Sequence, residues 1–287
     1  MPTPPALLVT LGLAASVLLA ACGPSGDYAG EMRAQHDGDT PVASGATAGA
    51  DTADVTVERV VYGTVDGQTL TGTIARPAGA GPEAGLPGVV VIHEWWGLNE
   101  NVEDMARRLA GEGYAALAVD LYGGETAATP DEAMSLVRTA MADEEALTEN
   151  LRAAYSFLTS REEAPRVGVI GWCFGGMWSL RAALALPDDL DAAVVYYGGP
   201  VTDADRLAPL DMPVLAFFGG EDSSIPQDTV RAFETALAEA DVEHEVEVYP
   251  GADHAFANPS GQNYAPEAAE DAWRRTTAFL AESLKDQ

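Results

Sequence analysis

The sequence has little lysine and little positive charge. Its 287 residues include 15 lysines and arginines, of which Lys285 is the only lysine, against 45 aspartates and glutamates, so the formal net charge is −30. Such a surface repels phosphate backbones, which excludes nucleic acid as a partner. A lysine-poor acidic surface is typical of proteins that work in high salt, although a merely acidic exported protein has the same composition.

Cysteine is equally scarce. The sequence contains two, Cys22 and Cys173. If Cys22 carries a lipid, for the reasons given next, Cys173 has no intramolecular partner. We therefore expect no structural disulfide, even in an oxidising compartment.

The only long uncharged apolar run covers residues 7–21. Its length is that of a signal-peptide core rather than of a transmembrane helix. It ends in Leu-Ala-Ala-Cys at 19–22, which resembles the lipobox of bacterial lipoproteins. The resemblance implies removal of residues 1–21, a lipid on Cys22 and an extracytoplasmic, membrane-anchored protein on the periplasmic or cell-surface side. The alternative is an apolar first helix with a chance cysteine.

Two further segments follow this run. Residues 22–54 are rich in Gly, Ala, Ser, Thr and Asp and have almost no large apolar side chains. This composition predicts a flexible tether, which would be lipid-anchored at Cys22. Residues 55–287 are enough for one sizeable α/β domain with its own core.

The domain begins with two β segments around Asp66-Gly67, which predict an entry hairpin. Short apolar strands then alternate with amphipathic helices, as in a mostly parallel, doubly wound sheet with helices on both faces. Such a sheet places its site at the carboxyl ends of the strands. The predicted strands are 89–93, 115–121, 167–170, 192–197, 214–218 and 244–249, and the predicted helical regions are 99–110, 130–158, 174–186, 226–240 and 265–284.

The motif Gly-Trp-Cys-Phe-Gly-Gly at 171–176 lies between a predicted strand and a predicted helix. It matches a nucleophile elbow, in which glycines permit a tight turn that lifts the central side chain into the site, with Cys173 in place of serine. The positive end of the following helix favours a thiolate. We predict that Cys173 is a nucleophile, against the alternative of a buried, inert thiol.

A thiol nucleophile needs a base, and the order nucleophile, acid, histidine predicts that base near the end of the chain. His254 follows the last predicted strand and is the expected base. The orienting acid should follow the preceding strand, where Asp222 is our choice and Glu221 is its adjacent competitor. The alternative is that Asp222 only forms a turn or caps the helix after Pro226. His93 ends a strand in the right region, but we expect it to be either structural or a group that supports the reacting residues without reacting itself.

The motif His-Glu-Trp-Trp-Gly-Leu-Asn at 93–99 follows the first strand after the hairpin. Its position suits the loop that supplies one backbone N–H of an oxyanion hole, while the residue after the nucleophile supplies the other. We expect these donors to be the amides of Trp95 and Phe174. Glu94 is either a surface carboxylate or an acid that faces the elbow and modulates the thiol.

Three more motifs add to the pattern formed by the elbow and the His-Glu motif. They are Asp-Leu-Tyr at 120–122, Gly-Gly-Glu-Asp at 219–222 and Gly-Ala-Asp-His-Ala-Phe-Ala at 251–257. With the elbow and the His-Glu motif, they resemble the dienelactone hydrolase family from about residue 55 to the end. The resemblance implies an α/β-hydrolase fold and cleavage of a carboxylic ester or lactone.

The same resemblance implies a role for each site residue. Cys173 attacks the carbonyl to form an acyl-thioenzyme, His254 transfers the proton and Asp222 orients His254. Glu94 interacts with the thiol until substrate binds.

One position departs from the family pattern. Members that open dienelactones are expected to hold the substrate carboxylate with arginines, one of them four residues after the catalytic histidine, where this chain has Asn258. Arg138 is the remaining candidate. Loss of a bidentate clamp is not conservative, so we expect a neutral ester or lactone as the small-molecule substrate. The other side chains expected to contact this substrate are Trp96, Tyr122 and Tyr197.

Two alternative functions share this scaffold. The first is a catalytically weak surface lipoprotein that binds a ligand or partner, and the second is a thioesterase or peptidase that differs only in substrate. The complete set of nucleophile, base and acid favours a hydrolase. The sequence shows no metal-ligand cluster and no glycine-rich phosphate loop, so we expect neither a metal nor a cofactor, and it favours no particular oligomeric state.

Overall fold

The computed structural model describes Asp39 and residues 54–285. The predicted signal peptide and Cys22 lie outside the described residues, as does most of the predicted tether. Within the described ranges, no helix is both long enough and apolar enough to cross a membrane.

The described part of the chain forms eight strands, seven α-helices and one short 3-10 turn. The strands are β1 (Val55–Val65), β2 (Gln68–Pro77), β3 (Gly88–Ile92), β4 (Ala115–Val119), β5 (Val167–Trp172), β6 (Ala192–Tyr196), β7 (Val214–Gly219) and β8 (His244–Tyr249). The helices are α1 (Glu100–Gly111), α2 (Pro130–Met141), α3 (Glu144–Arg161), α4 (Phe174–Ala185), α5 (Ala204–Leu207), α6 (Gln227–Glu239) and α7 (Pro266–Leu284), and the 3-10 turn is Pro82–Ala84.

All eight strands join one sheet in the order β1-β2-β4-β3-β5-β6-β7-β8. The pairs β1–β2 and β2–β4 are antiparallel, and every pair from β4 to β8 is parallel. The entry hairpin and the mostly parallel sheet are both confirmed. Because the parallel strands run the same way, their carboxyl ends meet at one edge of the sheet.

The core lies in the middle of the sheet. Every residue of β3 to β7 is buried, whereas most of β8, at one edge, is only half-buried. This is the pattern of strands covered by helices on both faces. On one face, Arg108 of α1 lies over the ring of Trp273 of α7 at 4.0 Å, and on the other α3 contacts α4.

The predicted element boundaries differ from the observed ones by three residues or fewer. The region predicted as helical from 130 to 158 divides into α2 and α3. Each has its own N-terminal cap, because Thr129 accepts a hydrogen bond from the amide of Glu132 and Asp143 accepts one from the amide of Ala146. The short helix α5 and the 3-10 turn were not predicted, since three or four residues carry no readable periodicity.

Asp39 belongs to the predicted tether but packs against the domain. It is 8% exposed, and its carboxylate accepts a hydrogen bond from the amide of Gln262 at 2.8 Å. This contact places Asp39 beside the loop that follows His254.

Candidate active site

The elbow predicted around Cys173 is present. Cys173 lies between β5 and α4 with φ 54° and ψ −114°, a conformation that non-glycine residues rarely adopt. A Cβ on Gly171 would lie 2.1 Å from the carbonyl oxygen of Gly175, so no larger residue fits there. The tight turn therefore presents the Cys173 side chain at the carboxyl edge of the sheet.

Three side chains form a continuous hydrogen-bonded chain at this edge. Cys173 Sγ lies 3.2 Å from His254 Nε2, and His254 Nδ1 lies 2.8 Å from Asp222 Oδ2. The side chains of His254 and Asp222 are 2% and 0% exposed. The structure thus brings together the three side chains that the sequence analysis proposes as nucleophile, base and acid, from loops after β5, β8 and β7.

Asp222 is held by the loop that carries it. Its Oδ1 accepts hydrogen bonds from the amides of Ser224 at 2.8 Å and Ile225 at 3.1 Å, which leaves Oδ2 for His254. Burial alone would raise the pKa of Asp222, but the charge of His254 and these hydrogen bonds hold it below its ordinary value. The adjacent Glu221 is exposed. Of the two carboxylates, only Asp222 is placed to orient the imidazole.

His254 is set up to hold a proton. Burial opposes the charged imidazolium, yet charge on Cys173 and Asp222, together with their hydrogen bonds, raises the pKa of His254 well above its ordinary value. The ring of Tyr197 contacts the imidazole edge to face, with ring centres 5.3 Å apart. These neighbours therefore favour the protonated form of the imidazole.

Glu94 is a buried carboxyl between two polar neighbours. Its Oε1 accepts a hydrogen bond from the hydroxyl of Tyr197 at 3.4 Å, and its Oε2 accepts one from Asn258 Nδ2 at 2.5 Å. Burial raises the pKa of Glu94 to about 7, although the charge of His254 and both hydrogen bonds lower it. Near neutral pH this group is divided between its charged and neutral forms.

The contact between Glu94 and the thiol that the resemblance implies is not present among the described residues. Cys173 pairs with His254, while Glu94 is bonded to Tyr197 and Asn258. The interaction of Glu94 with the thiol therefore stays a prediction.

The two expected oxyanion donors lie on neighbouring segments. Trp95 is buried in a turn in which the amide of Gly97 donates to the carbonyl of Glu94 at 3.3 Å. Phe174 is the first residue of α4, where backbone N–H groups have no partner inside the helix. A Cβ on Gly175 would lie 2.3 Å from the carbonyl oxygen of Ile92, so the start of α4 packs directly against the end of β3.

A pocket opens beside Glu94. Most of its lining is apolar, from residues such as Val102, Met105, Trp172 and Pro259, and its polar side chains include Glu94, Asn101, Tyr197 and Asn258. Among the described residues, neither arginine nor lysine lines it, and Arg138 is exposed on α2. Trp96 is buried, and Tyr122 is half-buried against the ring of Phe174. Of the four side chains expected to contact substrate, Tyr197 and Asn258 line this pocket.

Sequence reasoning missed the contribution of α1 to the site. Asn101, Val102 and Met105 lie on its first turns and line the pocket. Their spacing of three to four residues places them on one helix face. The sequence did contain an indication of this contribution, because the predicted helix begins directly after the motif at 93–99, which follows the carboxyl end of β3.

The fold and the site together define a class. A nucleophile elbow after β5, an acid after β7 and a histidine after β8, on a mostly parallel sheet, are the arrangement of an α/β hydrolase.

Comparisons with known proteins give the family. Residues 70–284 match the dienelactone hydrolase family. "Protein usf" of Aquifex pyrophilus is 35% identical over 212 residues, which cover 71% of this chain and 92% of that protein. A protein of Saccharolobus solfataricus named "Putative carboxymethylenebutenolidase" is 30% identical over 261 residues, covering 78% and 98%. The crystal structure of a dienelactone hydrolase-like promiscuous phosphotriesterase from metagenomic libraries is similar with a TM-score of 0.73 and 27% identity, covering 80% and 99%.

The chain belongs to the dienelactone hydrolase family, and it is a carboxylic ester hydrolase.

Proposed function

We propose that this chain hydrolyses a neutral carboxylic ester or lactone through an acyl-thioenzyme on Cys173. The observation that carries the proposal is the hydrogen-bonded chain from the thiol through His254 to Asp222, with contacts of 3.2 and 2.8 Å. Each contact is within the range needed for proton transfer or for orientation of the base. A scaffold that only binds a ligand has no physical need for this alignment.

The reaction begins when the proton of Cys173 moves to His254 Nε2. The thiolate attacks the carbonyl carbon, and the carbonyl π electrons move to the oxygen. When this oxyanion collapses, the C–O bond to the leaving group breaks, and the alkoxide takes the proton from Nε2. In a lactone the resulting alcohol stays attached to the acyl group. Water then attacks the thioester with His254 as base, the C–S bond breaks, and the carboxylic acid leaves as the thiol is restored.

Asp222 supports both proton transfers. Its Oδ2 accepts the Nδ1–H of His254, so Nε2 faces the thiol, and its charge stabilises the imidazolium. The amides of Trp95 and Phe174 are the proposed donors to the oxyanion. Preorganised donors of this kind typically contribute about 10²–10³-fold each to kcat.

The neutral substrate is proposed from the charges around the pocket. Glu94 is the carboxylic acid in its lining, and the part of the chain that the structure describes places no guanidinium or ammonium group there to balance a substrate carboxylate. One N–H of Asn258 donates to Glu94 and its oxygen accepts from Ser260, so this amide has at most one further N–H for a substrate, and that donor is uncharged. An anionic substrate would lose hydration without gaining a charged partner.

The test uses the full chain in a Cys22→Ala background, so that Cys173 is the only thiol. We expect hydrolysis of a p-nitrophenyl ester and of a neutral lactone, complete inhibition by one equivalent of iodoacetamide, and one acyl group on the protein in mass spectra of acid-quenched turnover. Cys173→Ala should show neither turnover nor adduct.

Two outcomes would contradict the proposal. Full turnover by Cys173→Ala would rule out the thiol as nucleophile. Failure of the Cys22→Ala protein to hydrolyse any ester or lactone in a panel of neutral and charged substrates would favour a binding protein on a hydrolase scaffold.

We also propose that the protein is extracytoplasmic and held to a membrane by a lipid on Cys22. The support is the lipobox-like sequence at 19–22 and the composition of residues 22–54. A single acyl chain anchors only marginally, so stable attachment requires the several chains that lipoproteins carry.

A further inference from the structure

His93 is a buried histidine that the proposed chemistry does not use. It lies directly after β3 and is 0% exposed. Its Nδ1 is 2.5 Å from the carbonyl oxygen of Glu94, and its Nε2 is 3.1 Å from the amide nitrogen of Leu121, just past β4. The ring therefore joins the loops that follow two adjacent strands.

These two contacts allow only one protonation state. A backbone N–H can only donate, so Nε2 must be the acceptor for Leu121. A carbonyl oxygen can only accept, so Nδ1 must carry the proton and donate to Glu94. His93 is thus the neutral Nδ1–H tautomer, and burial, which lowers its pKa, acts in the same direction. With both nitrogens occupied, the ring cannot act as an acid or base.

The hydrogen bond to Glu94 determines how the next peptide group lies. The carbonyl of Glu94 and the N–H of Trp95 belong to one peptide unit, and the described residues contain no cis peptide. In a trans peptide the C=O and N–H point in opposite directions. Because His93 and the amide of Gly97 both hold the carbonyl, the Trp95 N–H is directed to the opposite side.

The same ring also touches the second proposed donor residue. The rings of His93 and Phe174 stack with centres 5.9 Å apart and planes at 17°. On another side, the ring of Tyr122 meets His93 edge to face at 4.6 Å. One imidazole thus contacts both segments that carry the proposed oxyanion donors, and it has no hydrogen bond to the thiol or to His254.

We infer that His93 is a positioning residue of the oxyanion hole. Its Nδ1–H fixes the Glu94–Trp95 peptide so that the Trp95 amide is preorganised for the oxyanion, and its ring supports Phe174. This inference rests on the proposed function, because it requires an oxyanion to be formed.

Two substitutions separate the two hydrogen bonds. The side-chain amide of Asn reaches the position of Nδ1 on histidine, and that of Gln reaches the position of Nε2. His93→Asn therefore keeps a donor for the Glu94 carbonyl and loses the acceptor for Leu121. His93→Gln keeps the acceptor for Leu121 and loses the donor for Glu94.

We expect His93→Gln to lower kcat for a neutral ester by about tenfold or more, since removal of one oxyanion donor typically lowers it about 10²–10³-fold. KM and the rate of iodoacetamide alkylation of Cys173 should stay within about twofold of wild type, because alkylation forms no oxyanion. His93→Asn should keep kcat within about threefold, although its Tm should fall through the unsatisfied Leu121 amide.

Several outcomes would overturn the inference. These are wild-type kcat in His93→Gln, a kcat no higher in His93→Asn than in His93→Gln, or alkylation rates that fall in parallel with kcat. Where only His93→Asn folds, a hundredfold loss of its kcat overturns the inference and near-wild-type kcat supports it. A wild-type protein without turnover or acyl adduct would instead contradict the proposed function, so the two failures are distinguishable.

Discussion

Asp222 and Glu221 are adjacent carboxylates in different surroundings. Asp222 is 4% exposed and bonded to His254, whereas Glu221 is exposed. An amide at 222 can present a donor to Nδ1 and favour the wrong tautomer, so Asp222→Asn should lower kcat by about 10²–10⁴-fold. Steady-state kinetics on a neutral ester measure this loss. Glu221→Gln is the matched control, and its kcat should stay within about twofold of wild type. Equal losses of kcat in the two variants would show that Asp222 is not the orienting acid.

Glu94 makes stability depend on pH. Its folded pKa of about 7 lies above an unfolded value of about 4.3, so the folded state binds more protons between these values and stability falls as pH rises through that window. The difference of about 2.7 between the two pKa values corresponds to a loss of about 4 kcal/mol. Glu94→Gln cannot ionise, and its amide can still pair with Tyr197 and Asn258. Urea unfolding measures the free energy of unfolding of both proteins. The difference, variant minus wild type, should be more positive at pH 8 than at pH 5.

The raised pKa of His254 also reduces stability at high pH, but it is present in both proteins and largely cancels in this comparison. If the free energies of unfolding of variant and wild type differ by the same amount at pH 5 and at pH 8, Glu94 is charged in the folded state at both pH values.

Asn258 gives a prediction about substrate charge. Wild type should have a higher kcat/KM for neutral lactones than for lactones that carry a carboxylate. An arginine at 258 would meet Glu94 first, because Asn258 Nδ2 already lies 2.5 Å from that carboxyl. Asn258→Arg should therefore help anionic substrates little by itself. Combined with Glu94→Gln, it should raise their relative kcat/KM by about tenfold or more, the size of one charge-assisted hydrogen bond.

The controls are Glu94→Gln alone and Asn258→Gln, which remove a charge or lengthen the side chain without adding a guanidinium. If wild type prefers the anionic lactone at low and high salt alike, another cation holds the carboxylate and the assignment of neutral substrates is wrong.

At the scale of elements, the elbow between β5 and α4 leaves no room for a side chain on its glycines. A Cβ on Gly175 would lie 2.3 Å from the carbonyl oxygen of Ile92 and 2.5 Å from that of His93, and backbone cannot give way cheaply. Gly175→Ala should therefore destabilise the fold by about 1–3 kcal/mol or more and lower kcat. Gly199→Ala is the control, since its Cβ would meet nothing closer than Met177 at 3.9 Å. Thermal unfolding of both variants measures the loss of stability. Equal Tm values would contradict the prediction, because they would show that α4 can move away from β3 to accommodate the added methyl group.

The elements were predictable because their signals are local. β3 reads Gly-Val-Val-Val-Ile and is buried throughout, as expected for a strand covered on both faces. The elbow and the order of acid and histidine follow from the same alternation of strands and helices. The helix α5 was not predicted, because four residues show no period.

The surroundings of Glu94 were not predictable for the opposite reason. Its partners Tyr197 and Asn258 lie 103 and 164 residues away along the chain. No local pattern records such pairings, which exist only after β3, β6 and the loop beyond β8 meet at one edge. The tautomer of His93 is hidden in the same way, since it depends on an amide 28 residues distant.

At the scale of the whole molecule, the membrane anchor yields one prediction. Cys22→Ala should remove the lipid site and release the protein from the membrane fraction, with kcat unchanged, because Cys22 lies outside the domain from 55 to 287. Fractionation with mass spectrometry of the native N-terminus measures this. Cys173→Ala is the control and should stay membrane-bound while inactive. Native protein that keeps Met1 and carries no lipid would contradict both the signal peptide and the anchor.

Because β8 lies at the edge of the sheet, we expect loss of activity and global unfolding to be distinct events. His254 follows β8, which among the described strands pairs with β7 alone, whereas Cys173 and Asp222 follow strands with neighbours on both sides. A strand held along one side opens locally at a lower free energy than the interior of a sheet. Such opening would move His254 away from Cys173 while the other seven described strands stay paired. We therefore expect that on heating the protein loses activity before its circular dichroism spectrum changes, and coincident loss of the two signals would contradict this.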